Sequence, residues 1–111
     1  MKNYIDIDVT QEDIDKAIVA RKEYKAHHNG CWGDMCPASQ SVLRTEPIIR
    51  SWATHEILML ETMENTYYYS PTKKYTNFIT LVDSNIDKNS EKIRPSKFRL
   101  HLRKTIPNYL C

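Results

Sequence analysis

Four side chains of the types that bind zinc lie within one short stretch: His27, His28, Cys31 and Cys36. Asp34, in the same stretch, could add an oxygen ligand. Against a zinc site, four residues separate the two cysteines instead of the usual two, and adjacent histidines seldom bind the same ion. No second pair of ligands follows at zinc-finger spacing. The alternative interpretation is a polar loop with a buried cysteine at its end, and we expect no metal and no other cofactor.

Cys36 is also a candidate nucleophile. It precedes Pro37, a residue suited to the first position of a helix, and the helix dipole lowers the pKa of a thiol placed there. His27, His28 or His55 would then act as the base. The same position fits a capping or buried structural cysteine equally well, and we expect a protein that is not an enzyme.

A basic segment near the C-terminus and a run of aromatic residues are the candidate binding elements. In residues 97–103, basic side chains alternate with apolar ones, which predicts a strand with one basic face and one apolar face. The basic side chains are Lys97, Arg99, His101 and Arg103. Three consecutive tyrosines on a neighbouring strand could stack with bases, as in proteins that bind single-stranded nucleic acid.

Aromatic residues and arginine also dominate the hot spots of protein–protein interfaces, which makes a protein the alternative partner. Trp32, in the loop before Cys36, belongs with these residues. The predicted partner-binding set is therefore Trp32, Tyr67, Tyr68, Tyr69, Lys97, Arg99 and Arg103.

The size and charge of the chain limit the choice of partner. A chain of 111 residues fits one domain, 1–111, and its net charge of +2 demands neither nucleic acid nor a membrane. Acidic residues concentrate in residues 1–15 and basic ones in residues 92–104, so these segments could face each other or form two oppositely charged surfaces. With three cysteines and no secretory leader, we expect no disulfide framework and a location in the host-cell cytoplasm. No apolar run predicts a membrane span.

The first half of the chain predicts one strand and two helices. Tyr4–Val9 alternates between apolar and polar residues, which indicates a half-buried strand. Thr10 stands three residues before Asp13, a spacing typical of a capping box at the start of a helix from about Gln11 to Tyr24. That helix packs on the sheet through Ile14, Ala17 and Ile18. A second helix begins at Pro37, with an apolar side formed by Ala38, Val42 and Leu43.

The second half predicts the sheet and a third helix. Residues 48–53 form an extended piece in which Trp52 plugs the edge of the core, and strands follow at residues 56–61 and 66–69. Ser70-Pro71 has the chemistry of a helix start. The buried side of that helix comprises Tyr75, Phe78, Ile79 and Val82. The predicted class is α+β, in the order β-α-α-β-β-α-β, with a mainly antiparallel sheet and helices mostly on one face.

Four short motifs resemble segments of a group of small phage and prophage proteins. They are Val9-Thr10-Gln11-Glu12-Asp13-Ile14, Cys36-Pro37-Ala38-Ser39-Gln40-Ser41-Val42-Leu43, Asn77-Phe78-Ile79-Thr80-Leu81-Val82-Asp83 and Arg94-Pro95-Ser96-Lys97-Phe98-Arg99-Leu100. The resemblance covers about residues 5–102. It implies a phage-encoded accessory protein carried for host interference, such as inhibition of a defence system, and it transfers no catalytic residue. The chain departs from the group in its longer loop before Cys36.

These observations lead to a ranked set of functions. First is a non-enzymatic accessory binding protein that occludes a host or phage protein. The alternative is a nucleic-acid-binding regulator that uses the basic C-terminal strand, and the third is a cysteine-dependent or zinc-containing enzyme. We further expect that the sheet edge near Phe98–Leu102 could pair across a two-fold axis in a homodimer. No membrane partner is expected.

Overall fold

A five-stranded antiparallel sheet is the frame of the protein in the computed structural model, which describes residues 3–27, 36–44 and 48–108. The strands are β1 (Tyr4–Val9), β2 (Arg50–Ala53), β3 (Leu58–Glu61), β4 (Asn65–Ser70) and β5 (Ser96–Pro107). Their order in the sheet is β1-β5-β4-β3-β2, and each neighbouring pair is antiparallel. The first strand of the chain therefore pairs with the last.

The helices of the described residues lie on one side of this sheet. They are α1 (Gln11–His27), α2 (Pro37–Leu43) and α3 (Lys73–Asn85), and a short 3-10 helix at Ser90–Lys92 leads into β5. The predicted α+β class, with an antiparallel sheet and helices on one face, is confirmed. The strand β2 is an addition to the predicted order. Within residues 3–27, 36–44 and 48–108, no helix combines the length and apolar character needed to cross a membrane.

The core lies between the helices and the sheet face that they cover. The alternating residues of the strands supply one side of it: Ile7, Val9, Phe98, Leu100, Tyr67, Tyr69, Leu58 and Leu60. The predicted apolar side of α3 supplies much of the other side, since Tyr75, Phe78, Ile79 and Val82 are all buried. The ring of Phe98 packs edge-on against Tyr75, with centroids 5.9 Å apart, and lies 5.2 Å from the centroid of Phe78. We call this side of the sheet the core face.

The helix α2 lies between the two edge strands of the curled sheet, because it contacts both β1 and β2. Ser51 Oγ on β2 donates a hydrogen bond to Ser39 Oγ at 3.4 Å. At the other end of α2, Arg44 Nη2 donates to the backbone oxygen of Asp8 on β1 at 2.8 Å. Both edges of the sheet are thus partly covered by the same short helix, which limits edge-to-edge pairing with other chains.

The start of α1 has the capping box predicted from the spacing of Thr10 and Asp13. Thr10 N donates to Asp13 Oδ2 at 2.9 Å, and Asp13 N donates to Thr10 Oγ1 at 3.3 Å. Arg44 adds two hydrogen bonds to the same carboxylate, at 2.9 and 2.8 Å. Burial alone would raise the pKa of Asp13, but the hydrogen bonds from Arg44 and Thr10 outweigh it and hold this pKa below its ordinary value.

Several predicted boundaries and placements were wrong. The helix α1 continues to His27, beyond the predicted end at Tyr24. The helix α3 begins after Thr72, whose side chain accepts a hydrogen bond from Tyr75 N, and Ser70-Pro71 lies before it. Leu43 is exposed, because the short helix α2 turns its last residue away from the core.

The predicted homodimer edge also needs correction. Residues 98–101 of β5 pair with β1, and the sheet order places β5 between β1 and β4. Because its hydrogen-bonding groups are used within the chain, Phe98–Leu102 is not available as an edge. A homodimer formed in another way stays a prediction.

Candidate binding surface

The described helix residues that join the hydrophobic core pack against the inward-facing strand residues, so the described helices leave the opposite face of the sheet uncovered. We call it the open face. Strand alternation and register place fifteen side chains on it: Tyr4, Asp6, Asp8, Arg50, Trp52, Met59, Glu61, Thr66, Tyr68, Ser70, Lys97, Arg99, His101, Lys104 and Ile106. A face that mixes aromatic and charged side chains is the natural place to look for a binding surface.

Four of these side chains form a continuous row across the sheet. Trp52 is opposite Met59, Met59 is opposite Tyr68, and Tyr68 is opposite Lys104. Neighbouring strands lie about 4.8 Å apart, so the row spans roughly 14 Å. Trp52, Met59 and Tyr68 are half-buried, whereas Lys104 is exposed. We call these four residues the aromatic row.

Lys104 is held against the aromatic part of the row. Its Nζ lies 5.0 Å from the centroid of the Tyr68 ring, within the range of a cation–π contact. This contact keeps the ammonium group next to an apolar surface while leaving it exposed to solvent. A ligand that covers Tyr68 would therefore meet a positive charge at its border.

The three tyrosines predicted to bind a partner do not share a face. Tyr68 lies on the open face, but alternation along β4 sends Tyr67 and Tyr69 into the core. Tyr67 Oη accepts a hydrogen bond from Asn65 Nδ2 at 3.2 Å. Burial raises the pKa of Tyr69, whose hydroxyl has no hydrogen-bond partner among the described residues. The expected stacking surface thus loses two of its three tyrosines.

The basic strand meets the acidic N-terminal strand on the open face. Arg99 donates two hydrogen bonds to Asp6, from Nε at 2.7 Å and from Nη2 at 3.0 Å, which raise the pKa of Arg99. The same guanidinium lies 4.1 Å from the centroid of the Tyr4 ring. Lys97 stands opposite Asp8 in the register. Of the two predicted arrangements of the charged segments, the one in which they face each other is confirmed, and β1 partly neutralises the basic face.

A register shift in β5 changes which basic residue reaches the aromatic row. Leu102 pairs with Tyr69 and Lys104 pairs with Tyr68, so Arg103 is the extra residue of a β-bulge. Arg103 is exposed at this bulge, and Lys104 takes the position beside Tyr68. The predicted binding set therefore lacks three members of the row, Trp52, Met59 and Lys104. The sequence contained an indication that Trp52 faces away from the core, because the small residues Ser51 and Ala53 flank it and occupy the core side.

Most of the predicted zinc ligands fall outside the part of the chain that the structure describes. This applies to His28, Cys31 and Asp34, as well as to Trp32 and to the side chain of His27. The described residues contain no group of three or more potential metal ligands. Zinc binding by these residues is therefore not tested, and the expectation of no metal stays a prediction.

Cys36 caps the start of α2 with its backbone, since its oxygen accepts a hydrogen bond from Gln40 N at 2.9 Å. Its side chain is only 2% exposed. Burial raises the pKa of the thiol to about 12, which outweighs the lowering expected from the helix N-terminus. The expected depressed pKa was wrong, and the thiol lacks the thiolate character that a nucleophile needs. The buried structural interpretation of this position matches the geometry.

Comparison with protein-family models, with curated proteins and with solved structures found no match. The geometry of the described surface is therefore the basis for a functional hypothesis.

Proposed function

We propose that this protein is a non-enzymatic binding protein that occupies the surface of a protein partner through its open face. The observation that carries the proposal is the aromatic row: Trp52, Met59 and Tyr68 lie side by side on a sheet face that no described helix covers. Tryptophan, tyrosine and methionine are enriched in the cores of protein–protein interfaces. Because all three are neighbours in the register and are already half-buried, little side-chain freedom is lost when a partner covers them.

The surroundings of the row support a protein interface. Asp6 and Arg99 pair on one side of it, and Glu61 and Arg50 stand opposite each other in the register on another. An apolar centre with a rim of paired charges is the usual anatomy of such an interface. The rim would add orientation and specificity, while the row would supply most of the binding free energy.

The resemblance to phage accessory proteins supports a partner of the host cell. A small binding protein interferes most simply by covering a surface that its target needs. Under this proposal, binding itself is the activity, and loss of the row abolishes it. An inhibitor of a defence system is the form of the function that the resemblance favours.

Affinity capture from a host lysate tests this proposal when it is made with matched variants of the full chain. The test variant is Tyr68→Ala combined with Met59→Ala, which removes the centre of the row. The control is Val19→Ala, because Val19 is exposed and belongs to α1, which lies on the other side of the sheet. Thermal unfolding of all three proteins establishes that each is folded.

The expected result is one protein captured by the wild type and by Val19→Ala, and lost with the row variant. Equal capture by all three proteins would show that the open face is not the binding surface. The captured protein must then be purified and mixed with the chain, because direct binding of the two pure components is the claim. Absence of any complex in that mixture would overturn the proposal.

The second candidate is a protein that binds single-stranded nucleic acid, favoured by the contact between Lys104 and Tyr68. Base stacking on Tyr68 and Trp52, with phosphate near Lys104, would reproduce the usual combination of aromatic and basic groups. Salt separates the two candidates. Phosphate-dominated binding weakens steeply between low and moderate salt, whereas a complex anchored by aromatic side chains changes little. No binding to oligonucleotides even at low salt would remove this candidate.

A further inference from the structure

We infer that the segment of the partner that docks on the open face is acidic, with an apolar or aromatic side chain on the row and carboxylates at its Lys104 end. This inference rests on the proposed function, since it names the chemistry of the partner for the same surface. It depends on how charge is distributed along β5, and on which cations already have a carboxylate.

The cations of β5 fall into two groups along the strand. In the half that pairs with β1, Arg99 is bound to Asp6 by two hydrogen bonds, and Lys97 stands opposite Asp8. In the half that pairs with β4, the neighbours of Lys104 across the sheet are Tyr68 and then Met59, neither of which carries a charge. Among the described residues, no ion pair involves Lys104 or Arg103. Among the described residues, the cations of one half of the strand stand opposite carboxylates, whereas Lys104 in the other half does not.

The acids of the open face lie away from the Lys104 end of the row. Asp6 and Asp8 are on β1, and Glu61 is on β3, in register with Arg50. A partner that lies along the aromatic row therefore meets Trp52 at one end and, at the other, Lys104, which no described carboxylate pairs with. Covering Lys104 with a neutral surface would remove its water without any compensating charge, which costs free energy. A carboxylate of the partner at that end offsets this cost and fixes the direction in which the segment lies.

The same distribution favours an acidic protein segment over nucleic acid. A nucleic-acid strand needs cations along its whole path, because each nucleotide brings a phosphate. Here the cation of the row lies at one end, and the carboxylates of Asp6, Asp8 and Glu61 lie elsewhere on the open face. A phosphate backbone that ran along the face away from the row would approach Asp6 and Asp8 on β1 or Glu61 on β3, whereas a short peptide segment ends before them.

Fluorescence anisotropy of the full chain with three short labelled probes tests the inference. The first probe is a peptide that alternates glutamate with leucine and tryptophan, the second is the same peptide with glutamine in place of glutamate, and the third is an oligothymidylate of similar length. Each is titrated with the wild type, with Lys104→Glu, with Lys104→Gln, and with Lys22→Glu as the matched control. Lys22 is exposed on α1, away from the open face, and its substitution by glutamate changes the net charge by the same amount as Lys104→Glu.

The inference predicts that the acidic peptide binds the wild type about fivefold to tenfold more tightly than the glutamine peptide, and that Lys104→Glu removes this preference. Lys22→Glu should keep the preference within about twofold, because an exposed charge far from the site contributes little. A fourth probe, the same peptide with lysine in place of glutamate, should bind Lys104→Glu more tightly than the acidic peptide does. Because the first comparison uses only the wild type, it holds even if a variant fails to fold.

Three results would overturn the inference: equal binding of the acidic and glutamine peptides, tighter binding of the oligothymidylate than of the acidic peptide, or no binding of any probe. Its failure is separable from failure of the proposed function. If the protein partner is lost with Tyr68→Ala and Met59→Ala but is retained by Lys104→Glu, the row is the binding surface and the acidic chemistry is wrong.

Discussion

The two faces of the sheet use the same five strands but differ in what covers them. On the core face, Leu58, Leu60, Tyr69 and Leu100 are fully buried under the helices. On the open face, the residues next to them in sequence are half-buried or exposed. Strand alternation sends neighbouring side chains to opposite faces. Along β4, Tyr67 and Tyr69 therefore lie in the core, and Tyr68 between them lies on the candidate binding surface.

The difference shows that residue type alone does not separate structural from functional aromatic residues. Tyr67, Tyr68 and Tyr69 are chemically identical, yet two stabilise the fold and one is available to a partner. Carboxylates divide in the same way: Asp13 is fully buried, whereas Asp6 lies on the open face. Substitutions on the core face should therefore lower stability, and substitutions on the open face should change binding with little effect on stability.

Phe98→Ala should give the largest loss of stability. The Phe98 ring packs against Tyr75 and Phe78, so its removal leaves a cavity and should lower the free energy of unfolding by about 3–5 kcal/mol. Urea unfolding measures this change. The control is Lys97→Ala, the adjacent residue on the open face, for which we expect a change within about 0.5 kcal/mol. Similar losses for both variants would contradict the division between the faces.

Asp13→Ala should give the next largest effect. The substitution removes the capping box of α1 and leaves the guanidinium of Arg44 without its carboxylate partner. Because Arg44 is 41% exposed and can regain water, we expect a loss of about 1–3 kcal/mol. Asp15→Ala, an exposed acid on the same helix, should cost within about 0.5 kcal/mol in the same urea measurement. An equal cost at both positions would mean that the contacts of Asp13 add nothing.

The contribution of Asp13 should also depend on pH. Its pKa is lower in the folded protein than in the unfolded chain, where it is near the ordinary value of 3.8. The unfolded state therefore binds the proton more readily, so the contribution is fully present above that value and is lost as the pH falls through the folded pKa. Unfolding in urea between neutral pH and acid should show the gap between wild type and Asp13→Asn closing below about pH 4. A gap that stays constant would be inconsistent with a depressed pKa.

Asp6→Ala should have the smallest effect on stability, although the Asp6–Arg99 contact, at 2.7 Å, is shorter than the Asp13–Arg44 contact, at 2.8 Å. Both side chains are more than half exposed, and exposed pairs contribute about 0–1 kcal/mol. The residual effect should shrink further at high salt. If urea unfolding gave a loss as large as that of Asp13→Ala, the exposed and buried carboxylates would not differ in the way described.

The sequence predicted the elements with regular periodicity correctly. β1 extends over the predicted Tyr4–Val9, and the predicted apolar side of α3 is buried, because each pattern repeats long enough to leave one interpretation. The capping box was predictable from two residues, since its hydrogen bonds are local. The contact of Arg44 with Asp13 was not predictable, because it joins residues that are distant in sequence.

The candidate site was predicted only in part. Tyr68 and the basic strand were included, but the aromatic row depends on the register of four strands, which no single segment determines. The bulge at Arg103 lies just after the part of β5 that pairs with β1. Alternation counted from Lys97 does not include this extra residue. It therefore predicted Arg103, and not Lys104, at the position beside Tyr68. Trp52 was assigned to the core because of its size.

The pairing of β1 with β5 has a consequence for how the chain is made. Residues 4–9 are synthesised well before the strand that pairs with them, residues 96–101. At a synthesis rate of roughly 5–20 residues per second, β1 waits about 5–20 s for its partner. The acidic residues of this strand keep it charged during that interval, which opposes aggregation of the nascent chain. The sheet is completed only once β5 has been made, so a chain that stops before β5 leaves β1 without its neighbour.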